Sequence, residues 1–128
     1  MYSVFADEEK NVLIIKIAGS ISFKEAKTMS DKIIKKTEHL QQGFIVIDDL
    51  SQFELGDPRG GMHLQRVLKI FLQKKCRAVI RIIGDSRVAM TLFTKFSKIF
   101  QRQIPIYYIT DSSALPGKIK DIKKTAVS

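Results

Sequence analysis

Phe44-Ile45-Val46-Ile47-Asp48-Asp49-Leu50-Ser51 is an apolar run closed by acids. It leads through Leu55-Gly56-Asp57-Pro58-Arg59-Gly60-Gly61 into a stretch where Leu64, Val67, Leu68, Phe71 and Leu72 recur at helical spacing. The run reads as a buried strand with its acidic end at Asp48 and Asp49 and with Ser51 at that end, followed by a loop. Asp57-Pro58 reads as a helix entrance. A proline in the first turn gives up only an amide that has no intrahelical partner, and an aspartate before it accepts from the amides that follow. Repeats at three and four residues let that helix cover one sheet face. In open α/β sheets the loops beyond the carboxyl ends of strands are where ligands and partners are met, so this joint is the candidate site.

Working outward, Tyr2 to Ala6 and Val12 to Ile17 read as two strands around a polar turn, a hairpin in which Gly19-Ser20 breaks the second strand. Ser22-Phe23-Lys24-Glu25 has the spacing of a capping box. Phe23, Ala26, Met29, Ile33, Thr37 and Leu40 then share one side of a helix that ends near Gly43. Beyond the joint, Ala78 to Ile83 is a strand, and Gly84-Asp85-Ser86-Arg87 turns into a helix with a stripe of Ala89, Leu92, Phe93, Phe96 and Phe100. Ile104 to Ile109 is a last strand, with Pro105 at its start or edge, and Lys118 to Lys124 a short basic helix. The order β-β-α-β-α-β-α-β-α predicts a single α/β domain over residues 1–128, with a core from about 12 to 115 and a basic tail over 116–128. Its sheet is mixed but mostly parallel, of about five strands, with helices packed on it and right-handed crossovers.

Lys and Arg number 22 against 13 Asp and Glu, a net charge of +9, which favours an anionic partner: nucleic acid, lipid or an acidic protein. The lysines follow helix faces (Lys24, Lys27, Lys32, Lys35, Lys36) and the tail, with no nucleic-acid motif and no interleaved aromatics. They read as solvated surface, and nucleic acid is not expected. No apolar run approaches the roughly 20 residues that cross a bilayer. The first residues carry acids where a secretory signal needs a basic start, and the lone Cys76 has no disulfide partner. The expected location is the cytoplasm.

The segment Val46 to Ser51, followed by Leu55 to Gly61 and an apolar helix, resembles the central part of STAS domains, the SpoIIAA-like family of bacterial anti-sigma factor antagonists and sulphate-transporter cytoplasmic domains. The resemblance runs from about Val12 to Leu115. Those domains open the helix with Asp-Ser-Ser-Gly or Asp-Ser-Thr-Gly. Here Asp57 and Gly60 match the outer positions, and Pro58 and Arg59 replace the two hydroxyl residues. The resemblance implies a non-catalytic regulatory module that binds a protein partner, an anti-sigma factor, a kinase-like protein or another regulator. It also implies that the usual phosphorylation switch is missing, because Arg59 stands where the modified hydroxyl would be. Ser51 and Ser86 are the nearby hydroxyls where a displaced switch would have to lie, with capping or turn chemistry as the ordinary account of both.

Enzyme chemistry is not expected. Asp48-Asp49 has the look of a receiver-domain acid pair, but such a domain also needs a lysine after its last strand, where Thr110-Asp111 stands. His39 and His63 lack partners at ligand spacing, so no metal is expected, and no nucleotide or nucleophile motif that would imply a cofactor is present. Cys76 lies between Lys75 and Arg77, yet a lone cysteine entering a strand is a packing residue. The partner-binding set is therefore Asp49, Ser51, Asp57, Arg59, Gly60 and Gly61. The alternative is an anion, small-ligand or lipid-surface binding domain, with Gly84, Asp85, Ser86 and Arg87 as the anion site and the basic tail adding membrane attraction.

Overall fold

In Val12-Leu13-Ile14-Ile15-Lys16-Ile17, residues 13, 15 and 17 are buried while 14 and 16 are exposed, the period of two that a strand imposes. A computed structural model describes residues 1–85 and 103–125 and turns this pattern into a five-stranded sheet. Its strands are β1 (Tyr2–Asp7), β2 (Val12–Ile21), β3 (Ile45–Gly56), β4 (Ala78–Ile82) and β5 (Ile106–Ile109), which lie side by side in chain order. β1 is antiparallel to β2, and the other pairs are parallel. The predicted mixed sheet is therefore present.

Three helices pack on it among the described residues: α1 (Phe23–Thr37), α2 (Gly61–Gln73) and α3 (Leu115–Thr125). α1 begins at the expected capping box. The Glu25 amide donates to Ser22 Oγ at 3.1 Å, and the Ser22 amide donates to the Glu25 carboxylate at 3.1 Å. One sheet face, with Leu13, Ile15, Val46 and Leu50, packs under Ile33 of α1 and Val67, Leu68 and Phe71 of α2. The other face, with Ile45, Ile47, Ile80 and Ile82, packs under Leu115, Ile119 and Ile122 of α3. Arg77 ties down the end of α3 by donating to the carbonyls of Ile122 and Lys123 at 3.1 and 3.0 Å, which lack intrahelical donors.

Several expected boundaries move. Gly19 does not break β2: it takes φ of +71° where the register with β3 shifts, a bulge that lets the strand run on to Ile21. β5 starts two residues later than expected, at Ile106, and α3 starts earlier, at Leu115, with Pro116 in its first turn. The helix expected after Ser86, with its stripe from Ala89 to Phe100, lies outside the described residues. No helix among those described is long and apolar enough to cross a membrane.

Candidate functional site

The central correction concerns β3. Asp48 and Asp49 do not close the strand, which continues to Gly56 and pairs with β2 as far as Ile21. Strand alternation therefore decides where the two acids go. Asp48 shares the inward face of Val46 and Leu50 and is buried, whereas Asp49 turns to the opposite side. Asp48 lies opposite Arg81 in the β3–β4 register, and the Arg81 Nε is 3.5 Å from its carboxylate. Arg81 is 1% exposed and also donates to the Tyr108 hydroxyl at 3.3 Å. Burial raises the Asp48 carboxyl to about 6, with the nearby Arg81 cation opposing the rise and Asp49 adding to it.

This pair lies in the wall of a cavity of about 70 Å³ between the sheet and the α1–α2 layer, lined mainly by aliphatic side chains and reaching Gly56, Asp57, Gly60 and Gly61. For scale, an engineered apolar cavity of about 150 Å³ takes up benzene. The space suits a few waters beside the ion pair and is too small for an organic ligand.

The joint itself is a short 3-10 turn, Pro58–Gly60, before α2. Asp57 caps that turn rather than α2, whose own cap position, Gly60, offers no side chain. The Asp57 carboxylate accepts from the Arg59 amide at 2.9 Å, from Arg59 Nε at 3.1 Å and from an Arg59 terminal nitrogen at 2.7 Å. These Arg59 side-chain bonds, with the amide bond second, hold Asp57 down to about 2. Arg59 also lies 4.9 Å from the Phe23 ring, and His63 stacks on the same ring at 4.9 Å. The guanidinium is thus fixed in place while 71% exposed, and Met62, three residues further along the chain, is 67% exposed.

The other expected partner residues fall elsewhere. Asp49 and Ser51 share an open groove of about 520 Å³ with Gly84, Asp85, Thr110 and Asp111. Ser51 donates its amide and hydroxyl to the Asp49 carboxylate at 3.0 and 2.6 Å. Phe53 lines both the groove and the cavity. With Asp49, Asp85 and Asp111 around it, the described part of the groove repels anions. Ser86 and Arg87, the rest of the expected anion site, lie outside the described residues. Cys76 is buried and its thiol is pushed up to about 12, the opposite of activation by its basic neighbours.

Met62 and Arg81 stand outside the residues that the sequence pattern points to. Arg81 had a signal, a charge inside the apolar strand Ala78-Val79-Ile80-Arg81-Ile82. Met62 had none, because its exposure follows from the turn that precedes α2.

Comparison with solved structures shows this fold at low sequence identity. The anti-sigma factor antagonist SpoIIAA in its unphosphorylated form aligns with a TM-score of 0.60 and 13% identity, over 96% of this chain and 98% of that one. An uncharacterised DUF3478-family protein with a SpoIIAA-like fold from Shewanella loihica PV-4 aligns with 0.63 and 12%, over 91% and 92%. An anti-sigma factor antagonist from Mycobacterium paratuberculosis aligns with 0.60 and 14%, over 96% and 95%. No family model and no curated protein matches the chain. What is shared at these identities is the fold, and the chain has the SpoIIAA-like fold of STAS domains.

Proposed function

We propose that this chain is a non-catalytic regulatory module that docks a protein partner through the β3–α2 joint. The observation that carries the reading is Arg59, which the Asp57 carboxylate and the Phe23 ring hold in one orientation while it stays exposed. With the exposed Met62 three residues on, the segment offers both a guanidinium and an apolar side chain, residue types enriched at interface centres. It suits an acidic partner surface, because the fork can make paired bonds to carboxylates. Gly60 and Gly61 face inward instead: a Cβ on Gly60 would lie 3.4 Å from the Cβ of Ala26 and Gly61 is buried, so the pair lets α2 start close to α1 rather than meeting a partner directly. Asp49 and Ser51 belong to the neighbouring groove and would meet only a partner large enough to span both. Likeness in fold to two anti-sigma factor antagonists supports a partner of the regulatory class.

The joint carries Pro58 and Arg59 between Asp57 and Gly60, so no hydroxyl is available there for a phosphate switch. Ser51 is a poor substitute, since a phosphate on it would sit against the Asp49 carboxylate that its hydroxyl now contacts. The test is capture from native lysate by wild type and by Arg59→Asp, with thermal denaturation of both. Docking through Arg59 predicts loss of the captured partner, with a melting temperature that falls only slightly as the clamp on Asp57 is lost, since an exposed ion pair adds little stability. Equal capture by both proteins would refute the assignment.

A further inference from the structure

The two sheet faces are covered unequally. One carries α1 and α2, whereas the cluster under α3 draws on β3, β4 and β5, takes Val12 alone from β2 and takes nothing from β1. Among the described residues, the β1–β2 half of the α3 face is left open. There Phe5 and Ile14 are register partners across the antiparallel ladder, and they are 55% and 38% exposed. An aromatic and a β-branched side chain paired across strands form one apolar patch, which solvent now covers.

Charge around this patch has two signs. The turn after β1 carries Asp7, Glu8 and Glu9 against a single Lys10, with Glu8, Glu9 and Lys10 exposed; Glu8 lies 3.9 Å from His39 beyond the end of α1, and the exposed Lys16 of β2 shares the face of Ile14. α3 exposes Lys120, Lys123 and Lys124. The acidic turn leads into β2, and the last turn of α3 is held by Arg77, which leads into β4. β2 and β4 run in the same direction, so acidic turn and basic helix end lie along one edge of the sheet, two strands apart. A uniformly anionic surface would attract the lysines and repel the turn. A surface carrying both signs in this spacing is needed, and a copy of the chain turned by half a revolution about an axis along the strands supplies it. The acidic turn of each copy then faces the α3 lysines of the other.

We propose that this face is an isologous dimer interface in which Phe5 and Ile14 of one copy are covered by α3 of the second. The face is separate from the β3–α2 joint, so the proposal stands or falls independently of the docking role given to Arg59.

Sedimentation velocity across a micromolar concentration series tests it. Wild type should show a monomer–dimer equilibrium that weakens with salt, as screened charge pairs do. Glu8→Lys with Glu9→Lys, and separately Lys123→Glu with Lys124→Glu, should each weaken self-association by about tenfold or more. An equimolar mixture of the two doubly substituted chains should form the heterodimer, since both contacts are again between opposite charges. Phe5→Ser should also give monomer. A wild type that stays monomeric throughout overturns the proposal, and one that in addition pellets with vesicles rich in anionic phospholipid assigns the face to a membrane instead. A dimer indifferent to both charge reversals and to Phe5→Ser places self-association on another face and overturns it equally.

Discussion

Replacing Asp48 by asparagine should stabilise this protein, although the change breaks a buried ion pair. Two effects compete. Removing one partner of a buried pair leaves the other charge uncompensated and commonly costs about 3–5 kcal/mol. Against that, bringing the carboxylate into the core costs desolvation, and here the desolvation wins: the Asp48 carboxyl rises from 3.8 to about 6 with Arg81 beside it. A rise of roughly two pH units is about 3 kcal/mol, at about 1.4 kcal/mol per unit, by which the charged form is less stable in the folded than in the unfolded chain. The sign follows from proton counting. Below about pH 4 both states are protonated at Asp48 and the penalty is absent. Between about 4 and 6 the folded state holds a proton that the unfolded state has lost, so stability from this group falls as pH rises, and above about 6 the full penalty applies. The asparagine amide cannot ionise and keeps the shape of the carboxyl group. Asp48→Asn should therefore gain up to about 3 kcal/mol at about pH 8, with the gain shrinking to near zero at about pH 4. Urea midpoints of both proteins across that pH range measure it, and the difference between them cancels the titration of other groups. A variant less stable at the alkaline end, or a difference flat with pH, would refute the reasoning and show that Arg81 depends on the charge of its partner.

Two further substitutions test local features. Ser22→Ala removes the hydroxyl that accepts the Glu25 amide and should cost about 1 kcal/mol in urea denaturation, whereas an unchanged midpoint would mean that the cap is idle. Gly84 sits at φ of +54°, and an added Cβ would lie 3.2 Å from the Cβ of Ser51; Gly84→Ala should cost about 1–2 kcal/mol from backbone strain and crowding together, and a midpoint within error of wild type would show that the loop relaxes freely.

Elements whose apolar spacing was strong were legible in the sequence. α1 was readable from Ser22 and Glu25 at its entrance and from Ala26 and Ile33 on one face, because the cap and the period agree. The hairpin of β1 and β2 is readable from the β-branched run Val12 to Ile17 and the short Tyr2 to Ala6 segment on the other side of a polar turn. Where the reading slipped, a residue type that often ends a strand did not do so. Gly19 has the positive φ that glycine supplies, but the chain spends it on a bulge within the ladder rather than on a turn. Asp48-Asp49 looked like a strand terminus because adjacent acids rarely lie in a core, yet β3 still had β2 to pair with for another seven residues, as far as Gly56.

The same slip explains why the candidate site was only half legible. A strand read as ending at Asp48 places Asp48, Asp49, Ser51, Asp57 and Arg59 together in one loop. A strand that runs on to Gly56 separates them, since alternation sends Asp48 inward to Arg81 and Asp49 to the opposite side, and the added length carries Asp57 and Arg59 away from Asp49 and Ser51, leaving Asp57 and Asp48 related only through the lining of one cavity. A partner of Asp48 could have been sought among the charges within apolar strands, and Arg81 in Ala78 to Ile82 is such a charge. Setting the apolar starts of the two strands level, Ile45 with Ala78, puts Asp48 opposite Arg81. The Asp57–Arg59 clamp needs no tertiary information, as its partners are two residues apart. The stacking of Arg59 on Phe23 does need it, because it depends on α1 and α2 starting side by side, and that contact is what turns an exposed arginine into one with a fixed direction.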